Sequence, residues 1–206
     1  MTKLTIAKNT KRRIVLPMKQ DIDVVLQAGS DVDIFIPLNV QRNKKTTFRV
    51  YLRGEGANAR VYGAGVIRGA TELSLTVDTI HEAPNTNGST LVKAVVQDTG
   101  RFEFFGMIKI LAGAQKSNDF LQQDSLLLSD EASANAVPGL EIEANDVKAS
   151  HAATASPMNF EQLFYLRSRG IPEMAATQLV AEAFLSPAMK TIDDKMRRTL
   201  LRPLQV

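Results

Sequence analysis

Between residues 4 and 151 the chain alternates short apolar runs with clusters of turn-forming residues. The runs are LTIA (4–7), RIVLP (13–17), DIDVVLQ (21–27), VDIFIPL (32–38), TFRVYLR (47–53), ELSLTVDTI (72–80), TLVKAVVQ (90–97), FEFFGMIKIL (102–111), FLQQDSLLL (120–128) and LEIEANDVKASH (140–151). They are rich in Val, Ile, Leu, Phe and Thr, and turn clusters such as QAGS, GEGAN, APNTNGS and AQKSND separate them, the signature of successive β-strands. Within TELSLTVDT, Leu73, Leu75 and Val77 share one face and Ser74, Thr76 and Asp78 the other. In GLEIEANDVKASH the apolar positions are even at Leu140, Ile142 and Ala144 and odd at Val147 and Ala149. A chain that turns a corner at Asn145-Asp146 and keeps its apolar face inward would switch parity in this way. Repeated corners of that kind predict a solenoid or β-helix, with a sandwich or jelly roll as the competing arrangement. No strict repeat period is visible.

The pattern changes at Ser156-Pro157. NFEQLFYLRSRG (159–170) spaces Phe160, Leu163, Phe164 and Leu166 as a helix, with Gly170 placed to end it and Phe164 expected to pack. Pro172 suits the first turn of a second helix, in which Ala175, Leu179, Ala183 and Phe184 recur. After Pro187 a third helix would align Met189, Ile192, Met196 and Leu200. The expected division is residues 1–156 for the β-domain and 157–206 for a small C-terminal helical domain.

Composition narrows the chemistry. The chain has 206 residues, enough to bury a core unaided, with 44% hydrophobic and 23% charged residues. A net charge of +3, 6% aromatics and no Trp give little support to nucleic-acid binding. The absence of cysteine removes disulfides, thiolate ligands and a cysteine nucleophile. No signal-peptide pattern and no apolar run of membrane-spanning length is visible, which predicts a cytoplasmic protein with no membrane association. GAGVIRG (63–69) has the wrong spacing for a dinucleotide fingerprint and reads as a turn. The carboxylate pairs Asp31/Asp33 and Asp193/Asp194 read as a strand's outer face and a solvated helix surface, and the basic stretches KNTKRR and KMRRTLLR as solvated faces. His151 shares parity with Val147 and Ala149, the pattern of a buried, hydrogen-bonded imidazole; His81, at a strand end beside a turn, also reads as structural. In LFYLRSRG, Tyr165, Arg167 and Arg169 are the kinds of residue that tie a helix to the solenoid or to another protein.

Three stretches together, residues 81–156 (HEAPNTNG…VKASHAATAS), QLFYLRSRGI (162–171) and AEAFL (181–185), resemble the SufB/SufD family of the SUF iron–sulfur cluster assembly system. The close likeness covers residues 79–185, and residues 1–78 fit as earlier coils. The resemblance implies a right-handed parallel β-helix followed by a C-terminal helical domain. It implies two partners: a SufC-type ATPase held by the C-terminal helices, and a second SufB/SufD subunit, a SufB-type paralogue or this chain itself, joined through the last coils. SufB-type members carry a cysteine where this chain has Gln123, and His-Glu where it has His151-Ala152. Neither Gln nor Ala is a useful iron ligand. The chain therefore looks SufD-like and non-enzymatic, a subunit with no stably bound cofactor of its own that contributes to an iron or iron–sulfur site shared across the interface. On this reading Gln123 and His151 lie at the subunit interface, with His151 the candidate metal ligand. Tyr165, Arg167, Arg169 and Phe184 face the ATPase. Two other readings stay open: a self-dimerising β-helix protein without a metal role, and a β-helix polysaccharide lyase or hydrolase, for which no ladder of acidic groups is visible.

Overall fold

The computed structural model describes residues 2–204 and is a parallel β-solenoid of about five turns followed by helices. Its strands are β1 (Thr2–Ile6), β2 (Lys11–Val15), β3 (Ile22–Leu26), β4 (Asp31–Pro37), β5 (Lys44–Leu52), β6 (Asn58–Ile67), β7 (Glu72–His81), β8 (Asn87–Val96), β9 (Arg101–Ile110), β10 (Asn118–Leu127), β11 (Ser133–Ile142) and β12 (Lys148–Pro157). Odd strands form one sheet in the order β1-β3-β5-β7-β9-β11, and even strands the other, β2-β4-β6-β8-β10-β12. All pairings are parallel. The solenoid is the outcome, and the sandwich falls away.

Registers explain why no period shows in the sequence. Asn58, Asn87, Asn118 and Lys148 stand one above another, so these turns take 29, 31 and 30 residues. The first turns are shorter: Thr2 stacks on Ile22 and Ile22 on Phe48, steps of 20 and 26.

The two sheets enclose the main core. Leu73, Leu75 and Val77 are fully buried in it, as their alternation predicts. The parity switch at Asn145-Asp146 is the corner between β11 and β12. GAGVIRG differs from expectation, because Gly63 and Gly65 lie inside β6 and are not turn residues. A Cβ on Gly65 would collide with Asn39, whose Oδ1 accepts from the Val66 N–H at 2.7 Å. Glycine admits that side chain against the strand.

A second core lies outside the even sheet. There Phe35, Tyr62, Val66, Val95 and Leu126 pack against the C-terminal segment. That segment comprises α1 (Phe160–Ser168), α2 (Glu173–Leu185), a 3-10 turn (Ser186–Met189) and α3 (Asp194–Leu201). In α2 the inward residues are Ala176, Ala181 and Leu185, not the expected row, since Ala175 and Leu179 are exposed. The apolar side expected for the third helix holds: Met189 and Leu200 are buried, and Ile192 and Met196 pack beside them. The helix itself starts later, at Asp194, because Asp193 caps it by accepting from the Met196 N–H at 2.7 Å. Asn39 Nδ2 donates to the Leu200 carbonyl at 2.8 Å, so one side chain bridges sheet and helix.

Candidate functional site

Three places carry the sequence candidates: the open end of the solenoid, its interior near that end, and the helical groove.

The last coil is β11 and β12. Among the described residues β11 pairs only with β9 and β12 only with β10, so both outer edges lack a strand partner there. On the even sheet the inward positions Ile34, Val61, Thr90, Leu121 and His151 stack in one column. Leu121 is fully buried, but His151 above it is exposed because no coil covers it. The expectation of a buried imidazole therefore fails in this chain alone, although the side of the strand was read correctly. Gln123 lies one strand below and two residues along on the same inward face. It is 2% exposed, and its Nε2 donates to Ser125 Oγ at 2.7 Å. The structure thus brings His151 and Gln123 to the same end of the lumen. Leu140 and Ile142, stacked on the buried Ile108 and Ile110, are likewise left exposed there. Among the described residues, no group of three or more His, Asp or Glu side chains is placed to hold a metal ion.

His81 is the imidazole that the fold buries. It ends β7, fully enclosed, with Nδ1 2.7 Å from Thr86 Oγ1 and Nε2 2.9 Å from Asp119 Oδ2. Thr86 donates to the Ala83 carbonyl and contacts Ser117 Oγ at 2.7 Å. Both ring nitrogens of His81 thus have a polar partner inside the solenoid. Asp119 Oδ1 is buried without a protein partner. Gly88 makes the network possible, since a Cβ there would occupy the space of the Asp119 carboxylate. Asp119, Thr86 and Ser117 were not singled out in the sequence, where only their place in turn clusters marked them.

The carboxylate pairs are accounted for by their partners. Asp31 and Asp33 each accept from Arg60, and Lys11 and Arg13 approach them from the other side at 3.6 and 3.8 Å. On the odd sheet, Arg49 sits between Asp23 and Asp78 in register. Burial raises the Asp78 carboxyl, and Arg49 opposes that shift.

The groove lies where α1, α2 and the ends of β10 and β12 meet. It has a volume of about 1010 Å³ and is lined by Leu126, Pro157, Tyr165, Leu166, Leu179 and Phe184 among others. Asn159 caps α1 by accepting from the Glu161 N–H at 2.8 Å. Gly170, at φ +84°, closes it: the Gly170 N–H reaches the Arg167 carbonyl and the Ile171 N–H the Leu166 carbonyl. No residue of α1 is buried. Phe164, expected to pack, is 74% exposed, and Phe160 is 78% exposed. The reason is geometric: Leu163 and Leu166 are the half-buried residues of α1, and Phe160 and Phe164 lie off that side. Tyr165 is 57% exposed, with the Arg169 guanidinium 5.3 Å from its ring centre. Arg167 reaches Glu173 at 3.1 Å and so joins α1 to α2 rather than to the solenoid. Phe184 is half-buried under Lys93, whose Nζ is 4.3 Å from the ring centre and 2.8 Å from Asp124.

The family model described as "SUF system FeS cluster assembly, SufBD core domain" matches residues 18–184, starting well before the close likeness read from the sequence. SufD of Escherichia coli K12 is 37% identical over 115 residues, which is 56% of this chain and 27% of that relative. SufD of Bacillus subtilis is 36% identical over 141 residues, 68% of this chain and 32% of the relative. SufB of Bacillus subtilis is 28% identical over 141 residues, 68% and 30%. The matched stretch thus spans about a third or less of each of these relatives.

Proposed function

The chain belongs to the SufB/SufD family of iron–sulfur cluster assembly proteins, and from that premise we propose that it is a SufD-like, non-catalytic subunit of such an assembly complex. One observation carries the reading. The last solenoid coil presents His151 to solvent beside two edges without strand partners, with Gln123 on the same inward face one strand below; by the family resemblance, Gln123 takes the place of a SufB-type cysteine. Such an end is incomplete by itself. A second solenoid end would satisfy its backbone groups and enclose His151. Iron or a nascent cluster is cargo there, with the thiolate supplied by a cysteine-bearing paralogue and an imidazole supplied by this chain. The higher identity to the two SufD proteins than to SufB supports the assignment within the family.

The second contact is with a SufC-type ATPase, seated on the groove between α1 and α2. The contact would extend from the groove, which Tyr165 and Phe184 line, to the outer side of α1, where exposed Phe160 and Phe164 supply the aromatic anchors an interface favours, with Arg169 exposed beyond the helix end. A pull on these helices reaches the solenoid, because they share a core with the even sheet and are tied to it through Asn39. ATP-driven pairing of two ATPase subunits would in this way shift the His151 end. The protein works in the cytoplasm on this account; among the described residues, no helix is long and apolar enough to cross a membrane. Mixing with a SufC-type ATPase at micromolar concentration tests the helical contact. A stable complex lost in Phe164→Asp is expected, and no complex at all refutes it.

A further inference from the structure

The charge of the solenoid end specifies its partner more narrowly than the family does. From residue 117 to residue 147 there is no Lys or Arg, while Asp119, Asp124, Asp130, Glu131, Glu141, Glu143 and Asp146 fall in that stretch. Asp119 and Asp124 are buried, and the other five carboxylates are exposed on the last coil. Asp130 and Glu131 lie just before β11, Glu141 and Glu143 at its far end, and Asp146 in the corner before β12. Both ends of β11 are therefore acidic. Among the described residues, Glu141 is the one of these five in an ion pair, with Lys109 on the neighbouring strand, whose charge Glu143 also feels; Lys148 opens β12. Between these carboxylates the coil exposes Val137, Leu140 and Ile142.

We propose that this coil pairs with a solenoid edge bearing cations at both strand ends, and that its acidic flanks disfavour a two-fold pairing of β11 with the β11 of a second copy of this chain. The inference rests on the reading above that the last coil is a subunit interface. On a two-fold axis that sets each sheet against its own copy, β11 would meet its own reverse, bringing Asp130 and Glu131 against Glu141 and Glu143. Like charges facing across an interface discriminate against the wrong partner, while opposite charges favour the right one. The chain's own first coil is rich in cations, with Lys3, Lys8, Lys11, Arg12, Arg13 and Lys19, but it does not fit head-to-tail. Its strands β1 and β2 are 5 residues long against 10 in β11 and β12, leaving half of the acidic edge unpaired.

The test uses the whole chain and a charge-reversed form of it, Asp130→Lys/Glu131→Lys/Glu143→Lys, at exposed positions whose side chains make no hydrogen bond or ion pair among the described residues. Each protein alone, and the two mixed, are followed by sedimentation at low and high salt, with circular dichroism to show that both fold. The expected result is weak self-association of either protein alone at low salt, and a mixed dimer tighter by about tenfold or more. That gain shrinks as salt screens it. A tight wild-type dimer indifferent to salt, open-ended wild-type polymers, or a mixture no tighter than its parts overturns the proposal. If mixing has no effect while a cysteine-bearing SufB-type paralogue still binds through the last coil, charge selection fails and the interface reading stands. If the paralogue binds elsewhere or not at all, the interface reading fails with it.

Discussion

The interior network around His81 makes a sharp stability prediction, because Gly88 and Asp119 fit only together. Asp119→Ala removes the partner of His81 Nε2 and leaves a buried nitrogen unsatisfied, a cost of about 1–3 kcal/mol before the void is counted. Gly88→Ala inserts a methyl group where the Asp119 carboxylate stands, which forces the network apart for a further cost of about 1–3 kcal/mol. In the double variant the clash has gone and the methyl fills part of the space the carboxylate left. The double variant should therefore be less destabilised than the sum of the singles by about 1 kcal/mol or more. Asp119→Asn should be milder than Asp119→Ala, since the amide keeps a polar partner within reach of Nε2. Urea unfolding followed by far-ultraviolet circular dichroism gives all four free energies. Additivity within about 0.5 kcal/mol would refute the fit of Gly88 to Asp119. An Asp119→Ala variant as stable as wild type would refute a structural role for His81.

Further outcomes follow from other contacts. Asn39→Ala should weaken the seating of the helices on the sheet by about 2 kcal/mol, since it removes hydrogen bonds to the Leu200 carbonyl and from the Val66 N–H; faster proteolysis of the helical segment would show it. Gly170→Ala, at φ +84°, should cost about 1 kcal/mol and loosen α1, read as a lower melting temperature. Phe164→Asp should change stability by no more than about 0.5 kcal/mol, because the side chain is 74% exposed, yet abolish ATPase binding in a pull-down. The Asp78 carboxyl is raised by burial in the folded state, so folding holds its proton to higher pH than the unfolded chain does. Its contribution to stability should fall as pH rises from the ordinary aspartate value, about 4, through the raised folded value. Asp78→Asn should gain on wild type across that window in unfolding titrations, and a constant difference would contradict the sign.

What could be read from the sequence was what each strand settles locally. Alternation in ELSLTVDTI fixes which side chains enter the lumen, and the parity switch at Asn145-Asp146 marks a corner, because only inward apolar residues are buried. The β6 strand was missed because Gly63 and Gly65 mimic a turn, and their reason for being there is Asn39 and Val92, distant in sequence. His151 was placed on the correct face, but its exposure depends on the absence of a covering coil, which no local pattern encodes. The Phe164 error is of the same kind. Helical spacing shows that α1 has apolar residues, not that the solenoid leaves one of its faces free. Gln123 and His151 were linked through family resemblance, and the register then put them on one inward face.

The most direct test of the account is anaerobic iron–sulfur reconstitution of the complex with a SufC-type ATPase and a cysteine-bearing SufB-type paralogue, comparing wild type with His151→Ala. His151 is exposed in the isolated chain, so the variant should fold normally. The account predicts an intact complex with a lowered cluster yield. An intact complex with an undiminished yield would contradict a working role for the imidazole. A complex that fails to assemble with the variant would make His151 an interface residue and leave the chemistry to the partner.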